Sequence, residues 1–390
     1  MFAVLPITRK VLTRLFALLS LLWLTACEPT TPGGGVSINP SAPVAVALLV
    51  PHGSVNGNEA ALARDLENAA RLAVADLKGV KINLRVYGTA GNPAQAQKAA
   101  LRAVADGAKI IVGPLHAESA NAVAVAVAPR NVNVLTFSNN ATIAGGNLFV
   151  LGNTFENTAK RLTRFARRQG KSRILTVHSN NLAGQVGRQA IERAASANGA
   201  SIVGTVSYDF SQQGVVDAVP QITATARQGN ADAIFLTANT AGALPLFTQM
   251  LPENGLKPDV IQYIGLTRWD RPAQTLDLPG VQGGWFALPD TQRAAQFQGR
   301  FQQTYGNPPH AIAGLAYDGI AAIGALAKSG NRDALTRSRL TQGAGFQGVG
   351  GVFRFLPNGT NERGLAVATV QDRKVVVLDP APQRFGGAGF

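Results

Sequence analysis

The chain of 390 residues contains a single cysteine, Cys27. Because a disulfide needs two cysteines, none can form within the chain, and its stability must come from a buried core. Hydrophobic residues make up 46% of the sequence, which is ample for such a core. The N-terminal apolar run, residues 15–24, is far shorter than the roughly 20 residues that a membrane-spanning helix needs.

Motifs of catalytic, cofactor and metal sites are also lacking. The four histidines do not have metal-ligand spacing, and no G-x-S-x-G sequence surrounds a nucleophilic serine. Residues 343–348 match G-x-G-x-x-G, but they lead into a strand pattern, whereas a dinucleotide site needs a helix there. Residues 170–172 resemble the end of a P-loop, but Phe165 occupies the position of its first glycine. The sequence therefore predicts no enzyme, cofactor or metal, and leaves open only a site assembled from distant residues.

The N-terminus has the pattern of a secretory signal. Arg9, Lys10 and Arg14 precede the apolar run, and small residues precede Cys27. The sequence LTAC at 24–27 resembles the bacterial lipobox, which implies that residues 1–27 are a lipoprotein signal segment and that Cys27 is the lipid attachment site. The alternative is an ordinary signal peptide in which this cysteine is incidental. Glu28 follows it, which in enterobacterial lipoproteins implies transport to the outer membrane, so we expect a lipid-anchored periplasmic protein there.

Acidic residues are the scarcer charged type, with 22 Asp and Glu against 36 Lys and Arg, and the formal net charge is +14. Such an excess favours acidic partners, namely nucleic acid, anionic lipid or a cell-wall polymer. Because the signal predicts export, we expect no nucleic-acid partner.

Beyond the signal, residues 28–42 are rich in Pro, Gly, Thr and Ser and predict a flexible tether. The remainder, about 345 residues, is long enough for two lobes. From residue 44, short β-type runs alternate with helical segments, and a second series of the same kind begins after residue 150. Strands separated by helices predict mostly parallel sheets, so the fold class is α/β with two doubly wound parallel-sheet lobes. The tail, 345–378, is β-rich.

Four stretches carry a resemblance to a known family: VALLVPHGSVNG at 46–57, IVGPL at 111–115, VLTFSNNAT at 134–142 and QGVGGVFRFLPNG at 347–359. With these stretches the chain resembles the type I periplasmic binding proteins, especially their branched-chain amino-acid and amide receptors. The resemblance implies two lobes joined by a hinge, which close on a ligand like a Venus flytrap. We expect residues 43–150 plus about 283–330 to form the N-terminal lobe, and residues 151–282 plus about 331–380 to form the C-terminal lobe.

In open α/β sheets a ligand lies beyond the carboxyl ends of the strands. Polar residues in the loops that follow the predicted strands are therefore candidates for the two walls of a cleft between the lobes, although each one has the alternative role of a turn or helix cap. The candidates on the first lobe are Ser54, Asn56, Ser119, Ser138, Asn140 and Thr142. The candidates on the second lobe are Asn180, Thr240, Thr267 and Trp269.

The amino-acid receptors of this family hold their ligand with hydroxyls, a carboxylate and stacking tyrosines, and here the match is partial. Thr142 and the Asn140 backbone fit the first-lobe pattern, but the second lobe has Asn180 and Thr240 near the places of tyrosines and Thr267 near that of the acidic residue. An ammonium group buried without a carboxylate is costly, so free amino acids are expected to be poor ligands.

Residues 262–290 resemble a second branch of the same fold, the lipoproteins that activate penicillin-binding proteins. This resemblance implies a regulator of peptidoglycan synthesis that docks on a penicillin-binding protein, and this is the favoured hypothesis. The alternative is the solute-binding receptor of an ABC importer for branched-chain amino acids, amides or a related small ligand, with an ABC permease as its partner. A hydrolase is the third hypothesis, and no sequence feature favours it.

Overall fold

The computed structural model describes residues 35–386. The lipobox cysteine Cys27, the rest of the signal segment 1–27 and residues 28–34 of the expected tether lie outside the described residues. Within the described part of the chain, no helix is long and apolar enough to cross a membrane.

The first sheet is entirely parallel, with the strand order β2-β1-β3-β4-β5. Its strands are β1 (Val44–Val50), β2 (Ile82–Gly88), β3 (Ile110–Val112), β4 (Asn133–Thr136) and β5 (Leu148–Val150). Three helices connect the first four strands: α1 (Gly57–Asp76), α2 (Pro93–Ala105) and α3 (Ala117–Val127). Because strand side chains alternate, Leu48 packs with α1 on one face while Leu49 packs with α2 and α3 on the other. The sheet is therefore covered by helices on both faces.

The second sheet has seven strands in the order β15-β14-β10-β9-β8-β6-β7. Five of them run parallel: β6 (Arg173–Ser179), β7 (Ser201–Tyr208), β8 (Ala233–Leu236), β9 (Gln262–Gly265) and β10 (Trp285–Leu288). The antiparallel pair β14 (Ala366–Gln371) and β15 (Lys374–Asp379) completes one edge. Four helices belong to this lobe: α4 (Phe155–Arg168), α5 (Leu182–Ala197), α6 (Gln212–Gln228) and α7 (Leu244–Glu253).

A small antiparallel sheet and the last helices complete the first lobe. The helices are α8 (Thr291–Tyr305), α9 (Gly314–Ala327) and α10 (Arg337–Leu340), and the strands are β11 (Phe346–Gly348), β12 (Gly351–Phe355) and β13 (Asn361–Arg363). Phe301, Ile320, Leu335 and Phe353 from this stretch lie in one buried cluster with Leu48 of β1. The chain therefore passes between the lobes three times, at 150–155, 288–291 and 361–366.

Two segments lie in a different lobe from the one expected. The strand β10 opens the range 283–330 that was expected in the N-terminal lobe, but it pairs with β9 and β14 of the second sheet. The segment 334–363, which contains α10 and the strands β11 to β13, was expected in the C-terminal lobe, but its buried side chains from Ala334 to Phe355 pack into the first core. A short, fully buried apolar strand fits either sheet equally well by pattern, so only tertiary pairing decides its place.

Helix starts follow local signals in the sequence. Asn92 caps α2 by accepting hydrogen bonds from the amides of Ala94 and Gln95, with Pro93 in the first turn. Thr154 and Asp290 cap α4 and α8 in the same way. These two caps lie in the first and second connections between the lobes, so they set the direction in which the chain enters the next lobe.

Candidate functional site

The structure contains a cavity of about 340 Å³ between the two lobes. Its walls come from the loops after β4 and β9, all three connections and the start of α9. The lining residues include Asn139, Asn153, Phe155, Thr267, Arg268, Arg271, Leu288, Ile312, Leu315 and Arg363. A second cavity of about 230 Å³ adjoins it and shares Arg268, Arg271 and Leu288 with it. The two cavities form one groove at the carboxyl ends of β4 and β9, where open α/β sheets place their ligands.

Two arginines on the loop after β9 provide the positive charge of this groove. Arg268 forms two hydrogen bonds with Asp270, one of them 2.8 Å long between Nε and Oδ1. Arg271 is exposed in the groove, and its main-chain carbonyl accepts a 2.7 Å hydrogen bond from the Thr240 hydroxyl. Partial burial and the neighbouring Arg268 cation lower the pKa of Arg271, while Asp270 opposes them. The loops after β8 and β9 are thus tied together at a cationic wall.

A buried ion pair closes the back of the groove. Arg363 Nη1 lies 3.0 Å from Asp318 Oδ2, and Asp318 Oδ1 accepts a 2.8 Å hydrogen bond from the Val349 amide. Arg363 also donates to the carbonyl of Leu151. Complete burial raises the pKa of Asp318, against the opposing effect of Arg363. Arg363 therefore links α9 to the first and third connections between the lobes.

The structure uses the loop after β4 differently from the expectation. The Asn140 side chain accepts hydrogen bonds from the amide of Thr142, 2.9 Å, and from its hydroxyl, 2.8 Å. Ser138 is buried, and its hydroxyl accepts from the Asn140 amide. Thr142 lines a separate cavity of about 500 Å³ together with Glu156. From this loop it is Asn139 that lines the groove.

The other first-lobe candidates have structural roles. Asn56 caps α1 by accepting from the Asn58 amide, 3.0 Å, and the Ser54 hydroxyl accepts from the Asn56 amide. Ser119 is buried on α3. These contacts correspond to the turn and cap roles that the sequence leaves open for such residues.

Of the four second-lobe candidates only Thr267 lines the groove, and its hydroxyl donates to the carbonyl of Ala238, 3.2 Å. Asn180 donates to Asp209 at the end of β7, and Thr240 donates to the Arg271 carbonyl. Trp269 does not face the groove. It is fully buried, and its ring stacks on Phe286 with a centroid separation of 6.3 Å.

The burial of Trp269 has a local cause. Gly265 and Gly284 lie against its ring, and a Cβ at either position would overlap the indole. Gly265 at the end of β9 and Gly284 just before β10 therefore make room for a side chain whose position after β9 suggests the cleft wall. The sequence interpretation missed Arg271, Asn139 and the Arg363–Asp318 pair. The one available signal is the stretch 268–271, in which three of four residues are charged, in the loop after a strand-like run.

The family model described as "Periplasmic binding protein" matches residues 43–374. The chain belongs to the periplasmic binding protein family. The predicted fold, that of the type I members resembling the leucine and branched-chain amino-acid receptors, is confirmed. No curated protein matches the chain.

Solved structures of periplasmic binding proteins share this fold at low sequence identity. A branched-chain amino-acid ABC transporter periplasmic ligand-binding protein from Burkholderia xenovorans has a TM-score of 0.68 at 18% identity, covering 88% of this chain and 97% of that one. An ABC transporter substrate-binding protein from Sphaerobacter thermophilus has a TM-score of 0.66 at 20% identity, covering 90% and 100%. A solute-binding protein from R. palustris in complex with benzoate has a TM-score of 0.56 at 17% identity, covering 89% and 99%. At these identities the likeness shows the fold alone.

Proposed function

We propose that this protein is the solute-binding receptor of an ABC importer, which holds a small molecule between its lobes and delivers it to a permease. The observation that carries this proposal is the groove between the lobes. It lies at the strand ends, its larger cavity has about 340 Å³, and its lining combines apolar side chains with a few polar groups. That combination is typical of small-molecule sites.

The connections between the lobes support a closing motion. Three segments at 150–155, 288–291 and 361–366 join the lobes, and each lies beside the groove. Arg363 and Asn361 of the third connection are held by main-chain carbonyls of the first one, namely those of Leu151, Val150 and Gly152. A bundled set of short connections is a suitable hinge, about which two rigid lobes close on a ligand.

The comparisons favour the receptor over the penicillin-binding protein activator that the sequence analysis preferred. The similar structures named above are ABC transporter solute-binding proteins. Location in the periplasm, with Cys27 as a lipid anchor, remains part of the proposal and suits a receptor that must stay near its permease.

The proposal is tested with the tagged full-length protein crosslinked in cells and captured from solubilised envelope. Mass spectrometry of partner proteins and of small molecules released from the purified protein gives the readout. We expect an ABC permease and a retained small molecule. Capture of a penicillin-binding protein as the dominant partner, with no small molecule released, would contradict the receptor and support the regulator.

A variant that fills the groove provides a second test, and the same substitution elsewhere provides its matched control. Ala311 is exposed and lines both adjoining cavities, so Ala311→Trp should abolish retention of the small molecule without disturbing the core. Ala94→Trp adds the same side chain to the exposed first turn of α2 and should retain the molecule. Equal retention by both variants would show that the molecule is held elsewhere.

A further inference from the structure

The charges of the groove do not balance. Apart from His310, the charged side chains that line the two adjoining cavities are Arg268, Arg271, Arg363 and Asp318. Arg363 is paired with Asp318, and Arg268 is paired with Asp270. Among residues 35–386, the Arg271 guanidinium has neither an ion-pair nor a hydrogen-bond partner. Within the described part of the chain, the groove therefore holds one cation that has no ion-pair partner.

The surroundings of Arg271 favour an anion. Its loop is fixed by the hydrogen bond from Thr240 to its carbonyl, so the residue has a defined position between the loops after β8 and β9. Partial burial reduces the hydration of its guanidinium and the Arg268 cation opposes its charge, while Asp270 offsets only part of these effects. A bound anion offsets both effects, and a carboxylate matches the planar donor geometry of a guanidinium.

The described side chains of the groove offer no free carboxylate to pair with an ammonium group. Among the residues that the structure describes, Asp318 is the one carboxylate that lines the groove; it is 2% exposed and is occupied by Arg363 and the Val349 amide. Asn139 and Thr267 are uncharged, and the Thr267 hydroxyl proton already points to the Ala238 carbonyl. An α-ammonium brought into this groove therefore loses water without gaining a counter-ion.

Apart from Asn153 and Thr158, the remaining side chains that line the larger cavity are apolar. Phe155, Leu266, Leu288, Ile312, Leu315 and Leu365 surround the larger cavity. These side chains come from both lobes and from the connections between them. A hydrocarbon or aromatic body is stabilised here by burial, at about 25 cal/mol per Å² of apolar surface.

We infer that the ligand is a small carboxylate with an apolar body and no ammonium group, and that Arg271 binds its carboxylate. This inference rests on the proposed function, since it names the ligand class of the same groove. It separates this chain from receptors for free amino acids, because recognition here requires one negative charge and no positive one.

Matched probes test the inference by isothermal titration calorimetry on the full-length protein, purified in detergent and freed of retained molecules by unfolding and refolding. The first set is 4-methylpentanoate, L-leucine and 3-methylbutylamine, which share one hydrocarbon skeleton and differ in the two charged groups. The second set is 3-phenylpropanoate and L-phenylalanine. We expect at least one carboxylate to bind at least about tenfold more tightly than its amino acid, and the amine not to bind.

Two arginine variants separate Arg271 from a general effect of positive charge. Arg271→Gln should weaken the bound carboxylate at least about tenfold and leave the melting temperature of the free protein unchanged, because the side chain is exposed and unpaired. Arg130→Gln removes one exposed charge at the end of α3, away from the groove, and should bind as the parent does. Equal weakening by both variants would contradict the assignment of Arg271.

The outcomes distinguish this inference from the proposed function. Binding of an amino acid as tightly as of its carboxylate analogue, or carboxylate binding that survives Arg271→Gln, overturns the ligand class while the receptor stands. Failure of both carboxylates to bind also overturns the ligand class. The receptor itself fails only by the separate result of capture without a permease and without any released small molecule.

Discussion

Arg363 on β13 and Asp318 on α9 form an ion pair, with Nη1 and Oδ2 3.0 Å apart and both side chains largely buried. The pair lies where the third connection leaves the first lobe, and Arg363 also holds the carbonyl of Leu151 in the first connection. Two of the three passages between the lobes are thereby fixed to one helix of the first lobe. We propose that the lobes close around this point.

Asp318→Asn should destabilise the protein by about 3–5 kcal/mol, because it leaves the Arg363 charge buried without a counter-ion. Urea unfolding followed by circular dichroism measures the loss, with Asp259→Asn at an exposed position as the control. The double variant Asp318→Leu with Arg363→Met should be more stable than Asp318→Asn, since no buried charge remains. A double variant that loses as much as the sum of its single changes would show that the two residues act independently.

Gly265→Ala and Gly299→Ala should change stability in opposite directions. A Cβ on Gly265 overlaps the Trp269 ring, and the resulting strain should cost about 1–3 kcal/mol. Gly299 lies inside α8 with open space around it, so alanine there should stabilise the helix by about 0.5–1 kcal/mol. Thermal unfolding of both variants measures the difference, and a loss of stability for Gly299→Ala would indicate a contact that the fold does not show.

Acid should weaken the junction formed by Glu362, Lys160 and Arg354. Burial raises the pKa of Glu362, but hydrogen bonds and charges from Lys160 and Arg354 outweigh it, and the pKa falls below its ordinary value of 4.5. A carboxyl whose pKa is lower in the folded state stabilises the protein fully above its unfolded-state pKa. This contribution is lost as the pH falls through the folded-state pKa.

Unfolding free energies measured between about pH 6 and pH 3 test this effect. The loss with acid should be smaller in Glu362→Gln than in the parent, whereas Glu118→Gln, at an exposed position on α3, should follow the parent curve. Parallel curves for Glu362→Gln and the parent would show that this carboxyl does not contribute to the acid response.

Cys27→Ser tests the anchor, which lies outside the described residues. If the lipobox is functional, the variant should accumulate as an uncleaved precursor or as protein released from the membrane. Membrane fractionation and the mass of the mature N-terminus give the readout. Normal processing together with unchanged fractionation would rule out lipid attachment at this residue.

The alternation of buried strands and amphipathic helices was sufficient to predict the α/β class and both parallel sheets. The run VAVALLV is apolar on both faces, and β1 is buried between two helix layers as that pattern indicates. The sequence does not predict the three-residue strand β5, because so short an apolar run shows no alternation of buried and exposed residues. The lobe to which β10 belongs could not be predicted, since periodicity says nothing about which edge a strand joins.

At the candidate site, the sequence does not predict which polar side chains face the groove. Asn140 and Thr142 have residue types that suit a ligand, yet their side chains bind each other within one turn. Trp269 follows a strand end, yet it is buried in the core because Gly265 and Gly284 leave space for its ring. Both outcomes depend on which neighbouring groups each side chain contacts in the folded chain.

By itself the sequence determined most of the secondary structure, the family and the expected region of the cleft, because these depend on local pattern and on the carboxyl ends of parallel strands. Tertiary structure alone decided which polar groups remain available for a ligand. Arg268 and Arg271 are the same residue type three positions apart, and the difference between them is that Asp270 forms an ion pair with Arg268, whereas the Arg271 guanidinium has no ion-pair or hydrogen-bond partner among residues 35–386. Whether a charged side chain is already paired depends on which loops meet it, and that follows only from the packing of the whole chain.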